Sequence, residues 1–275
     1  RHVEERKPGC YEEGKLARIV SSSCCCKARL LHYFPTSAPG SVQNEACGGQ
    51  EGEGKLEEAG VSRPEEGVER DAAWRGGMEK AGATKVDGEG GDKGGSLEEY
   101  EVFVKGDERF SGWCGWHNDH SLLTGLVPGM FLNQAGEETD PKDPLCGLYI
   151  VSRQGRLVKV GVPQGHKPWS CLMFQIGETT QILSGGILQA TPHAVRSTKQ
   201  PGMYVSRESF AVFMQPEWDE DMAPPRGTDP SAVISQHTES LLPPGSTPIH
   251  HRWSPGNNFS QFTKRTLEAF YKESS

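Results

Sequence analysis

The chain has 275 residues, a formal net charge of −8 at pH 7 and only 34% apolar residues. That length suits one catalytic domain with attachments, and an acidic chain without a long Lys/Arg cluster is a poor partner for phosphate backbones or anionic membranes. No apolar run approaches the ~18 residues of a membrane helix, so the expected partner is a small molecule, with no nucleic acid and no membrane, and the expected state is a monomer.

In chain order, residues 1–35 come first. They open at Arg1 rather than Met, as a fragment or a processed product would. Residues 1–27 are charged and then small, like the remnant of an N-terminal helical region. The basic, Ser- and Cys-rich residues 17–29 read as a helix end plus a loop rather than as a transit peptide. Residues 29–35 form a short strand closed by Pro35. Residues 36–100 hold 15 of the 34 glycines among Glu, Lys and Ala, a composition that cannot fill a core and predicts a disordered low-complexity insertion. Within it, Gly90-Gly-Asp-Lys-Gly-Gly95 lacks the flanking strand and helix of a phosphate loop.

Residues 101–220 read as a series of short strands. Val102 and Val104 alternate with Phe103 and Lys105 near the start. Strands over 148–152 and 157–162 flank the hairpin-turn composition Arg153-Gln-Gly-Arg156, with Val158, Val160 and Val162 on one face. An apolar strand over 171–176 stops at Gly177, and 206–214 is the last strong strand. Short strands at regular spacing without intervening helices indicate an all-β sandwich or barrel, of which the jelly roll is one form. Residues 221–275 form a Pro-rich extension, loop-like until Ser260. There Phe262, Leu267, Phe270 and Tyr271 fall near helical spacing and predict a short amphipathic helix.

Eight cysteines, three of them consecutive at Cys24, Cys25 and Cys26 and none in a paired C-x-x-C, form neither a disulfide framework nor a zinc site. Cys146 and Cys171 read as core thiols. The compartment is expected to be a reducing one, the cytoplasm.

Chemistry concentrates in two pairs. In Trp116-His117-Asn118-Asp119, residues two apart at a strand end share a face, so His117 and Asp119 can offer an imidazole and a carboxylate to one ion. His193, 74 residues on in Ala190-Thr-Pro-His-Ala-Val195, can arrive from a facing strand. Two histidines and one carboxylate leave three metal positions open, as iron(II) oxygenases require. An H-x-D triplet alone is common, and a buried histidine is more often a core residue than a ligand. Arg207 and Ser209 are also two apart on a strand, where a guanidinium fork and a hydroxyl can hold a carboxylate; the competing reading is a surface arginine at the start of a strand. His120 sits beside the site as a supporting residue at most, while His237, His250 and His251 lie in Pro-rich, solvated sequence.

These residues fall in a longer match. Residues 29–35 and 113–216 resemble the isopenicillin-N-synthase-like oxygenases, which include the plant 2-oxoglutarate-dependent dioxygenases. The resemblance rests on Gly115-Trp-His-Asn-Asp-His-Ser-Leu-Leu-Thr124, Gly147-Leu-Tyr-Ile-Val151, Phe174-Gln-Ile-Gly-Glu-Thr-Thr-Gln-Ile-Leu-Ser-Gly-Gly186, the His193 motif and Ser206-Arg-Glu-Ser-Phe210, in that order. It implies a double-stranded β-helix (jelly roll) with minor flanking helices. It implies iron at His117, Asp119 and His193, with no catalytic residue beyond the metal site, and 2-oxoglutarate held by Arg207, Ser209 and Tyr33. The implied activity uses Fe(II), 2-oxoglutarate and dioxygen, with ascorbate in support. It couples oxidative decarboxylation of the keto acid to oxidation, by default hydroxylation, of a small organic metabolite. The chain departs from the pattern at Leu31, at Glu178 in an expected turn, in the long spacing from His193 to Arg207, and in Arg196, a rival anchor. Two alternatives stay open: an iron oxidase of the same fold that uses no keto acid, and a non-catalytic binding module that kept the fold.

Overall fold

A computed structural model describes residues 2–36, 112–198, 204–234 and 247–273, all within one compact unit of the chain. The expected insertion beyond Thr36, the Val102/Val104 alternation, the Gly90–Gly95 run and His237 lie outside the described residues. Two short helices lead in, α1 (His2–Arg6) and α2 (Lys15–Ser22). Nine strands follow among the described residues: β1 (Lys27–Tyr33), β2 (Cys114–His117), β3 (Leu123–Leu126), β4 (Met130–Leu132), β5 (Gly147–Val151), β6 (Leu157–Lys159), β7 (Met173–Ile176), β8 (His193–Arg196) and β9 (Ser206–Met214). They form two antiparallel sheets, one ordered β1-β9-β3-β7 with β4 also pairing β9, the other ordered β2-β8-β5-β6. The mainly β expectation therefore holds.

The sheets pack face to face. Tyr33, Leu126 and Phe131 of the first lie against a buried cluster of Leu148 and Val195 from the second, with Trp113 and Cys146 just before its strands β2 and β5. Period-two alternation along β9 turns Arg207, Ser209 and Ala211 inward, while Phe210 stays exposed. The outer face of this sheet is unusually apolar, with Leu30 85%, Phe34 74% and Phe174 59% exposed.

Four expectations are corrected. The 171–176 segment is not apolar inward: Leu172 and Phe174 point outward and Gln175 is the buried residue. Cys171 before it is only half-buried, unlike the buried Cys146. Glu178 does not sit in a turn but starts a helix, α3 (Glu178–Leu183), so the strand series is interrupted; its side chain is buried against an arginine distant in sequence, which no local signal reveals. The tail after Pro216 is not simply loop. It carries α4 (Pro230–Val233), α5 (Ile249–Arg252) and α6 (Phe259–Glu273), and Met222, Val233, Ile249, Trp253, Phe259 and Phe262 enclose Ile182 of α3. Within α6 the buried stripe is Phe259, Phe262 and Thr263, at i, i+3 and i+4. Leu267, Phe270 and Tyr271 lie on a second, exposed stripe.

Candidate functional site

The triad is assembled by strand pairing. In the β2–β8 ladder His117, the last residue of β2, stands directly opposite His193, after a register irregularity between Cys114 and His117. Their ring centroids are 4.1 Å apart. Asp119 follows two residues beyond His117, in the loop, and its Oδ1 lies 3.9 Å from Nε2 of His117 and 3.9 Å from Nε2 of His193. One donor atom from each residue lies within 4.8 Å of the others, the only such cluster of His, Cys, Asp or Glu among the described residues.

Neighbours orient each donor. His117 Nδ1 lies 2.8 Å from the Gly115 carbonyl and His193 Nδ1 3.1 Å from the Thr191 carbonyl. A carbonyl can only accept, so both Nδ1 atoms carry hydrogen, and either ring, in its neutral form, has its lone pair on Nε2, as metal-binding imidazoles do. Burial and the charge of His117 push His193 down to about 4, so it stays neutral. Burial also disfavours the His117 cation, but Cys114 and Asp119 outweigh it and raise that ring to about 10. Asp119 Oδ2 accepts from Thr124 Oγ1 at 2.5 Å and from Gln175 Nε2 at 3.0 Å. That leaves Oδ1 facing the two imidazoles. The same Gln175 nitrogen lies 2.8 Å from Nδ1 and 3.0 Å from Nε2 of His193. With Nδ1 carrying hydrogen only Nε2 can accept from it, so this one buried amide touches two of the three triad residues and stands at the His193 lone pair that a metal would take.

The loop bearing Asp119 is clamped by α3. The free N–H groups of a helix's first turn need acceptors, and here the loop supplies them: Glu178 N–H donates to Asp119 O at 2.8 Å and Thr179 N–H to Ser121 O at 3.3 Å. The Thr179 and Thr180 hydroxyls add bonds to the His120 and Leu122 carbonyls at 2.5 and 2.7 Å. Gly177 must be glycine at this close approach, since a Cβ there would strike the Ser121 carbonyl. Glu178 in turn makes a buried bidentate pair with Arg252 of α5, at 2.7 and 2.8 Å. His120 is turned away from the triad, stacked 5.9 Å from Phe259. His250 and His251 lie on α5, both exposed.

At the other end of the interior, Arg207 (3% exposed) and Ser209 (7%) are buried. Tyr33 stands opposite Arg207 in the β1–β9 ladder. Its ring centre is 5.3 Å from the guanidinium carbon. Burial raises the Tyr33 phenol to about 12, with Cys114 adding to the rise and Arg207 opposing it. Burial likewise lowers the pKa of Arg207. No carboxylate among the described residues pairs with this guanidinium. A Cβ on Gly129 would run into Nε, Cζ and Nη2 of Arg207, so glycine there is what lets the guanidinium lie against the backbone. Arg196 belongs to the other sheet, opposite Gly147, and its buried Nε has no hydrogen-bond partner among the described residues. The structure thus groups Arg207, Ser209 and Tyr33 and leaves Arg196 apart. Sequence reasoning missed Thr124, Gln175, Gly129 and Arg252. Only Gln175 carried a signal, as the single polar residue in an apolar strand.

Comparison with known proteins gives structural neighbours alone. No protein-family model matches the chain, and no curated protein does. The similar solved structures are 2-oxoglutarate/Fe(II) oxygenases. One is a full-length Neurospora crassa protein in complex with alpha-KG, at 16% identity over 56% of this chain and 37% of that one, TM-score 0.35. Another is the dioxygenase for auxin oxidation of rice, at 18% identity over 56% and 40%, TM-score 0.33. A third is dioxygenase for auxin oxidation 1 from Arabidopsis thaliana as its 2-oxoglutarate binary complex, at 20% identity over 42% and 36%, TM-score 0.30. The chain spans between 36% and 40% of the length of these three. Among the described residues no helix is long and apolar enough to cross a membrane.

Proposed function

We propose that this chain is a non-haem iron(II) oxygenase that couples oxidative decarboxylation of 2-oxoglutarate to oxidation of a small organic metabolite. Its catalytic unit would be a double-stranded β-helix over residues 101–220, completed by the strand ending at Tyr33. The observation that carries the reading is a pairing of two features in one interior. Two neutral-capable imidazoles and a carboxylate converge at one end, and a buried arginine with no carboxylate partner among the described residues stands at the other. Buried charges are normally paired, so Arg207 fits a ligand carboxylate.

His117, Asp119 and His193 would hold Fe(II), and the donor set fits it: two imidazole nitrogens with their far sides hydrogen-bonded, and one carboxylate oxygen left free. The bound iron would supply the oxygen chemistry. The chain's own residues do the rest. Arg207 offers a fixed fork to the distal carboxylate of the keto acid. Ser209 and the protonated Tyr33 hydroxyl stand within its reach as further donors. Gln175 and Thr124 keep Asp119 turned toward the metal position, and the packed sheets around Ala194 and Val195 exclude water. Loading the protein with Fe(II), 2-oxoglutarate and ascorbate and assaying succinate, with metabolite extracts as substrate, tests the proposal. Succinate release that depends on Arg207 and Asp119 is the expected result. Failure of 2-oxoglutarate to bind the iron-loaded protein would remove it, and keto-acid-independent oxidation would move the reading to the oxidase alternative.

A further inference from the structure

Arg207 can be reached from a second direction. A cavity of about 1100 Å³ opens where residues 127–131, the start of β5, the end of β6 and residues 168–173 meet, and Arg207 and Ser209 form part of its wall. None of the triad residues lines it. The strand pairing says why: on β8, His193 pairs with Ile150 and Arg196 with Gly147, so the Gly147–Leu148 wall belongs to the end of the sheet away from the triad. The keto-acid position between metal and Arg207 is therefore open at its back.

This cavity has a definite chemical character. Its lining is largely apolar, including Val127, Phe131, Leu148, Val160, Trp169 and Met173. The charged groups within reach are few. Arg207 is the buried cation. The Lys159 ammonium, also in the wall, donates one hydrogen to the Pro144 carbonyl and keeps its charge. Glu138 and Asp140 are exposed at the rim, and Glu208 is engaged by His32. A five-carbon keto acid fills little of such a volume, which matches the upper end of small-molecule sites, roughly 300–1,000 Å³. An apolar body satisfies the walls, and one carboxylate satisfies the guanidinium. A second carboxylate would have to lie on the apolar wall or among Lys159, Glu138 and Asp140 outside it. The apolar wall and the one buried guanidinium select the same ligand class.

We propose that this cavity binds a monocarboxylate with an apolar body, its carboxylate on Arg207 and its body along the apolar wall, and that such a ligand excludes 2-oxoglutarate. The inference deepens the proposed function, because mutual exclusion rests on Arg207 being the keto-acid anchor; binding in the cavity does not. The regulatory consequence is product-independent inhibition by apolar acids, set by occupancy of one guanidinium from its far side.

Decanoate is the probe, titrated by calorimetry into the full chain with and without 2-oxoglutarate. Decan-1-ol serves as the carboxylate-free control and succinate as the dicarboxylate control. Decanoate is expected to bind and to raise the apparent 2-oxoglutarate dissociation constant in proportion to its concentration, while decan-1-ol does neither. Arg207→Ala should weaken decanoate at least tens-fold. Val160→Phe, or Val162→Trp should the first variant fail to fold, fills the cavity away from the guanidinium. Either should abolish decanoate binding and leave 2-oxoglutarate affinity within about twofold. If 2-oxoglutarate binds and decanoate does not, the cavity inference is wrong and the proposed function stands. If decanoate binds through Arg207 but 2-oxoglutarate does not bind at all, the cavity site stands and the keto-acid reading falls. Decanoate binding indifferent to Arg207→Ala and to both cavity-filling variants overturns the inference.

Discussion

The two ends of the interior are built on opposite plans. At the triad, nearly every polar group is bonded within the protein: Nδ1 of both histidines to backbone carbonyls, Asp119 Oδ2 to Thr124 and Gln175, and the loop backbone to α3. Three donor atoms come within 4.8 Å of one another there, His193 Nε2 among them with the Gln175 amide 3.0 Å away. At Arg207 the guanidinium is fixed by fit, against Gly129 and the face of Tyr33, and its charge has no carboxylate partner among the described residues. On the proposed reading the first end would take a cation that arrives alone. The second holds a buried charge that a ligand carboxylate would complete. Lesions at Arg207 should therefore be silent in the iron-binding assay, and lesions behind the triad silent for the keto acid once iron is saturating.

The sharpest break is Asp119→Ala. Removing the shared carboxylate should abolish Fe(II) binding by calorimetry and all turnover, with the fold retained. Iron binding undiminished in this variant would mean that the triad is not the metal site. Next comes Arg207→Ala, which withdraws a buried cation from a carboxylate at a typical cost of about 2–5 kcal/mol. At ~1.4 kcal/mol per decade this weakens 2-oxoglutarate by tens to thousands of fold, with iron affinity unchanged. Gly129→Ala should reproduce it in weaker form by displacing the guanidinium, whereas Arg196→Ala should leave keto-acid affinity intact; the reverse ranking would reassign the anchor.

Smaller effects probe the supports. Gln175→Leu removes an amide that holds both Asp119 and His193 and should lower iron affinity about 10–100-fold, the usual cost of losing a partner behind a metal ligand; 2-oxoglutarate binding to protein saturated with iron should be spared. Last is pH. A metal must displace the proton from His117, whose ring is raised to about 10, so iron affinity should climb about tenfold per pH unit across the neutral range. In the apo protein the sign is opposite. The stabilisation from protonated His117 is fully present below its unfolded value of 6.5 and is lost as pH rises toward about 10. Affinity titrations and denaturant melts at pH 6, 7 and 8 would expose both trends, and flat profiles would remove His117 as the proton carrier.

Much of the triad's placement was legible because its cause is local. His117 and Asp119 are two residues apart at a strand end, and Arg207 and Ser209 alternate along one strand, so period-two geometry suffices to bring each pair to one face. The mainly β character was legible for the same reason. What could not be read depends on partners far apart in sequence. Glu178 looks like a turn residue until Arg252, 74 positions later, neutralises it in the interior. Gln175 looks misplaced in an apolar strand until Asp119 and His193 arrive beside it. The apolar Leu30, Phe34 and Phe174 carried a strand signal but no information on facing, and they turn outward. In α6 two apolar stripes compete, and only Phe259 and Phe262 find a core to enter.

The buried Glu178–Arg252 pair gives the molecule a lever. One end is the carboxyl-terminal helical cluster, through α5; the other is the first turn of α3, whose N–H groups grip the carbonyls of Asp119 and Ser121. Occupancy at the metal position and the docking of α5 then share one free energy. Iron that favours the gripped loop also protects the C-terminal segment from opening, by an amount that grows with the logarithm of free metal over its dissociation constant. The converse follows from reciprocity: Arg252→Ala, or a partner that captures α5, would weaken iron binding without touching a ligand.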